Sequence, residues 1–184
     1  KSIIKSCEIA KFNFKNFNFK IIITDDKSKK ETIEKIKLII NGTNIETKFI
    51  SLQDDEFLDL IDKKDTNGDN ISKNMISNMR NIYKSLEIVK NDNSDLFYIL
   101  EDDYIHEDLA ITEMLFAYEK LSSQLNKEIF LCPADYPYLY SNIDNTSIFF
   151  GNMRHWRKVN ETLITFLTSK KMLQKYMKSL EAMC

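Results

Sequence analysis

Glycine and proline are scarce, with three Gly and two Pro in 184 residues. That scarcity excludes a glycine-rich phosphate loop, and neither a Walker A nor a GxGxxG pattern occurs. Cysteine is equally thin. Cys7, Cys132 and Cys184 are odd in number, far apart and without a CxxC pair. A zinc ribbon is thereby excluded, and a disulfide framework is disfavoured. A reduced, cytoplasmic protein is the expectation from such cysteine usage. No apolar run nears the roughly 20 residues that cross a bilayer. The opening KSIIKSCEIAKF is too polar for the core of a signal peptide. Charge of one sign is missing as well: 26 Lys plus Arg against 28 Asp plus Glu leave a net charge of −2. A globally basic nucleic-acid binder is excluded, and no nucleic-acid partner is expected.

What remains is ordinary globular material, 43% hydrophobic and 29% charged. Its length suits a single domain over 1–184 with a real core. Helical spacing of Ile3, Ile4, Cys7 and Ile9 predicts a helix over 2–11. KIIIT (20–24) reads as a buried strand, followed by Asp25 and Asp26. A helix over 28–40 with Ile33, Ile36 and Ile39 on one side stops at Asn41-Gly42. TKFISL (47–52) is a second strand, and 54–62 a short acidic helix. Residues 63–70 form a loop, and 71–89 the clearest amphipathic helix. LFYIL (96–100) is a third strand ending in Glu101-Asp102-Asp103. A helix over 108–122, a strand EIFLC over 128–132 and a tyrosine-bearing loop over 133–145 follow. Short apolar runs at 147–150 and 162–167 flank Arg154-His155-Trp156-Arg157, and a helix over 169–181 ends the chain. Strands alternating with helices predict an α/β fold with a mainly parallel sheet. Right-handed crossovers would then place the carboxyl ends of the strands, and a ligand, along one edge.

Acidic residues gather at those strand ends: Asp25 and Asp26, Glu101 to Asp103, and Asp135. Carboxylates brought together repel, and a divalent cation removes that cost. Mg²⁺ or Mn²⁺ gripping a phosphate is the economical reading, although an Asp after a strand also serves as a helix cap or turn former. In the Arg154–Arg157 run, two guanidiniums suit a diphosphate, a neutral His155 suits a metal, and Trp156 offers a flat ring to an acceptor sugar. A basic surface patch around a half-buried Trp is the plainer alternative. Asp135 is the candidate general base, with Glu161 its competitor. The loop DTNGDN resembles a calcium loop only loosely. Counted from Asp65, its sixth and twelfth positions are Asn70 and Ile76, where an EF-hand needs Gly and Glu.

Three pieces together resemble nucleotide-sugar glycosyltransferases of the GT-A fold, nearest the large family-2-like group. KIIITDDKSKKETIEKI is similar to that group's strand and DDGS loop, with Lys27 in place of the glycine. FYILEDDYIHEDL resembles its DxD-type motif in the Glu-Asp-Asp form. DYP, then RHWR, then TLITF resembles a smaller subgroup that pairs EDDY with a later His-Trp-Arg. The likeness runs from about residue 2 to residue 176. It implies a three-layer α/β/α, Rossmann-like fold and transfer of a hexose-like sugar from a nucleotide donor to an acceptor hydroxyl, with inversion by analogy. It implies that Asp25, Asp26 and Asp102 contact the nucleotide, with Arg154 and Arg157 on its diphosphate. Asp103, Asp102 and His155 would hold Mn²⁺ or Mg²⁺. The acceptor is a glycan, a lipid-linked group or a protein, and peripheral membrane association is compatible with it. In that fold a strand precedes the helix at 2–11, so either an N-terminally truncated fragment lacking the usual first strand, or an unusual edge in place of that strand, is expected.

Two other readings compete. A phospho-receiver domain also clusters acids around Mg²⁺ after its first and third strands, but it needs a later Lys-Pro turn that this chain lacks. A degenerate, non-catalytic glycosyltransferase-like module would bind a partner or glycan without turnover.

Overall fold

The computed structural model describes residues 1–57, 64, 67–141, 145–161 and 164–182. The chain is α/β and divides into two compact units, Lys1–Asn18 with Ser94–Gln174, and Phe19–Asn93 with Lys175–Cys184.

In the first unit, helix α1 (Ser2–Asn13) buries Ser6, Cys7 and Ala10. These small side chains allow close approach to the later helix Ala110–Leu125, where the Ser6 hydroxyl accepts the Ile111 N–H at 3.0 Å. Burial pushes the Cys7 thiol up to about 11, so it packs as a small apolar group.

The second unit opens with β1 (Lys20–Asp25), whose β-branched run suits a pleated, half-buried surface. Helix α2 (Lys30–Ile40) is the crossover to β2 (Glu46–Ser51), which pairs with β1 in parallel, Lys20 opposite Glu46 and Asp25 opposite Ser51. Helix α3 (Lys73–Asn91) begins where the Ser72 hydroxyl accepts the Met75 N–H at 3.3 Å, and it packs on β1. It buries Leu86 and Val89 and, less usually, Arg80.

The first unit resumes with β3 (Leu96–Ile99) and α4 (Ala110–Leu125). As the periodicity predicts, Ile111, Met114, Leu115, Tyr118 and Leu121 are buried along α4. Asn126 closes that helix in the left-handed conformation. Strands β4 (Ile148–Phe150) and β5 (His155–Arg157) form an antiparallel hairpin. Strand β6 (Phe166–Ser169) is buried throughout, and α5 (Lys170–Glu181) follows it directly.

The expected mainly parallel sheet is corrected here. Among the described residues the ladders are three two-stranded pairs, and only β1–β2 is parallel. Strand β3 pairs with β6 in antiparallel fashion, Leu96 opposite Ser169. The predicted strand over 128–132 is reduced to an antiparallel bridge between Leu131 and Leu167. Leu167 spends both backbone groups on Leu131, so β6 presents its other edge to β3 and lies between the two segments. The reason is burial: Thr165 to Ser169 are enclosed on both faces, so β6 takes the place beside β3 that chain order gave to 128–132. The acidic helix expected over 54–62 is a turn through residue 57, and the rest lies outside the described residues, as do Asp65 and Thr66 of the calcium-like loop.

Candidate functional site

The candidate residues divide between the units. Asp25 and Asp26 belong to the second, whereas Asp102, Asp103, Asp135, Arg154, His155, Trp156, Arg157 and Glu161 belong to the first.

In the second unit the acidic pair has structural work. Asp25 is buried, and its Oδ2 accepts the Ser28 N–H at 3.3 Å in the turn that leads to α2. Asp26 is closed off from solvent, with its side chain 3% exposed. Arg80 Nη1 donates to both of its carboxylate oxygens at 3.2 Å, and the same guanidinium donates to the Gln53 and Glu56 carbonyls. One buried ion pair therefore ties together the loops after β1 and β2 and helix α3. A carboxylate so occupied does not face a nucleotide, and the role expected of Asp26 is corrected on that ground. Lys27 has φ +68, the left-handed region that favours glycine, at the position where the DDGS pattern carries Gly.

In the first unit three motifs meet. Asp102 and Asp103 follow β3 as exposed side chains with no hydrogen bond or ion pair among the described residues. Tyr104, next in the chain, hydrogen-bonds through its hydroxyl to that of Tyr136, which joins the EDDY loop to the DYP loop. Burial, the bond to Tyr104 and the nearby Glu101 carboxylate all push the Tyr136 phenol upward. The DYP loop runs into a single 3₁₀ turn, Pro137–Tyr140. There Asp135 accepts from the Tyr140 hydroxyl and, at 3.3 Å, from Arg157 Nη2 on β5. The Arg157 guanidinium also lies 4.2 Å above the Tyr140 ring. Arg154 reaches back to Glu107 at 2.5 Å, linking the hairpin to the segment after EDDY. Desolvation first, and then the Glu161 carboxylate, push the Tyr138 phenol upward.

Two expected roles change. The Trp156 indole N–H donates to Glu113 Oε1 at 3.0 Å and the ring is half-buried, so it is not an open platform for an acceptor. His155 is exposed, with its ring edge-on to Phe150 at 5.2 Å. Among the described residues no three His, Cys, Asp or Glu side chains group as a metal set, so Asp102, Asp103 and His155 do not form the expected trio.

Sequence reasoning missed Glu113. It sits in the first turn of α4, is 5% exposed, and accepts the backbone N–H groups of Asn152, Met153 and Arg154 at 3.1, 2.7 and 3.3 Å besides the indole. Successive N–H groups converging on one anion form a nest, here filled by the protein's own carboxylate. Gly151 is needed beside it, because a Cβ there would lie 2.3 Å from Glu113 Oε1. The available signal was a charged residue within the apolar stretch AITEMLF, and one of only three glycines placed just before the cationic knot.

No family model, curated protein or solved structure matches the chain. Among the described residues, no helix is long and apolar enough to cross a membrane.

Proposed function

We propose that the chain is a metal-dependent glycosyltransferase that moves a sugar from a nucleotide-activated donor to an acceptor hydroxyl, with inversion. The proposed fold is the three-layer GT-A arrangement. The parallel β1–β2 pair and the alternation of strands with helices support it, and the antiparallel β6 departs from it. The single observation that carries the activity is in the first unit: two aspartates after β3, without a bonding partner among the described residues, stand on a loop that Tyr104 and Tyr136 join to the loop of the base candidate, while Arg154 and Arg157 bond to Glu107 and Asp135.

The donor set fits Mn²⁺ or Mg²⁺, since these ions accept one or two carboxylates and complete their shell with water and phosphate oxygens. Asp103 and Asp102 would hold the ion, and His155 is left out of that role. Bound there, the cation would supply Lewis-acid stabilisation of the charge that develops on the leaving diphosphate. The chain's own groups supply the rest. Arg154 and Arg157 carry fixed positive charge on the hairpin and suit bidentate contact with phosphate oxygens. Asp135 takes the acceptor proton, and Glu161 is the alternative base. Asp25 and Asp26 are engaged inside their own unit and take no part in this reading.

The non-catalytic binding module has one observation in its favour: Asp135 is already occupied by Arg157 and Tyr140. A thermal-shift screen of nucleotide sugars with and without Mn²⁺ tests the proposal, because a ligand that binds the folded state raises its melting temperature by mass action. A Mn²⁺-dependent shift with one nucleotide class supports transfer, and none with any of them opposes it.

A further inference from the structure

Tyr138 and Tyr140 lie on the one-turn 3₁₀ segment and are 45% and 62% exposed, unusual for rings held so firmly. Tyr138 stacks on Tyr136 with centroids 5.7 Å apart and planes at 24°. Tyr140 is fixed from behind by the Arg157 guanidinium and at its hydroxyl by Asp135. The two rings are thus ordered before any ligand arrives, which reduces the entropy lost on binding. Tyr140 is fringed by the Asp135 carboxylate, which retains acceptor capacity beyond its present bonds.

We infer that this tyrosine turn binds a neutral saccharide, and that the acceptor of the transfer reaction is therefore a glycan. A sugar ring has an apolar C–H face and an edge of hydroxyl donors. The exposed aromatic faces suit the first, and the Asp135 carboxylate suits the second. A lipid acceptor would want a continuous apolar surface, which the Asp135–Arg157 pair interrupts, and an anionic ligand would first meet Asp135, the more exposed of the two charges. Trp156 cannot serve in place of the tyrosines, since its ring is half-buried. The acceptor role rests on the transfer reading, while the binding itself rests on the turn alone.

The test is saturation-transfer NMR on the full chain with maltotriose, cellotriose and chitotriose, run beside the Mn²⁺-dependent donor shift on the same samples. At least one trisaccharide is expected to receive saturation. The double variant Tyr138→Ala, Tyr140→Ala should weaken that binding about tenfold or more. The Phe pair should keep it within about threefold, because the rings remain. Both side chains are exposed, so an unchanged far-UV spectrum confirms that each variant folds. Absence of binding by all three sugars, or equal binding by wild type and the Ala pair, overturns the inference even if the donor shift is present. Sugar binding without any donor shift supports the saccharide site and counts against transfer instead.

Discussion

Arg80 and Asp26 show how one residue's environment decides its role. Both side chains are almost fully enclosed, and the guanidinium satisfies a carboxylate and two backbone carbonyls at once. Removing one partner of such a pair leaves a buried charge uncompensated. Asp26→Ala is therefore expected to destabilise the chain by about 3 kcal/mol in urea unfolding, while donor binding measured well below the new midpoint is unchanged. Glu113 is the parallel case in the first unit. Glu113→Ala strands three backbone N–H groups and an indole N–H, and should cost about 3 kcal/mol by the same assay. A loss under 1 kcal/mol in either variant would remove the structural role argued for it. His106 sets a pH dependence. Its Nε2 lies 3.1 Å from the Tyr98 hydroxyl, and burial pushes its pKa below the ordinary 6.5. The unfolded chain then takes up the proton first, so this contribution is complete above about pH 6.5 and is lost as pH falls below it. His106→Gln should flatten the decline in stability between pH 7 and pH 5, seen as a smaller drop in melting temperature.

At the scale of elements, local patterning carried far. The helix over 108–122 was legible because Ile111, Met114, Leu115, Tyr118 and Leu121 repeat at helical spacing, and all are buried on α4. The strands at 20–24 and 96–100 declared themselves through β-branched and aromatic runs. Pairing was not legible. Nothing local in Phe166–Ser169 says that it runs antiparallel beside β3, because a strand buried on both faces loses the alternation that would orient it. Phe166 is 1% exposed within that strand and edge-on to Phe130 at 5.0 Å. Phe166→Ala should destabilise the chain by about 4 kcal/mol, and a small effect would mean that β6 is not central to the first unit's core. The DDKS turn illustrates the converse. A glycine expected from resemblance is absent, yet Lys27 adopts the backbone that glycine favours. Lys27→Gly should leave the turn unchanged and stability within about 1 kcal/mol.

For the whole molecule, the acids scattered along the sequence do not act as one set. Those after β1 are engaged inside their own unit, whereas Asp102 and Asp103 after β3 have no bonding partner among the described residues, on a loop joined to the DYP loop through Tyr104 and Tyr136. Linear sequence shows that carboxylates recur at strand ends, but not which are taken up by a distant cation, since Arg80 and Arg157 lie 54 and 22 positions from Asp26 and Asp135. The account therefore stands on Asp102 and Asp103. The most direct measurement is a Mn²⁺ titration of the full chain followed by the electron paramagnetic resonance signal of the free ion, in the presence of a nucleoside diphosphate. Wild type should deplete that signal with one site per chain, and Asp103→Ala, which removes an exposed and unpaired side chain, should fold normally and fail to deplete it. Equal depletion by both proteins, or none by wild type, would contradict the assignment.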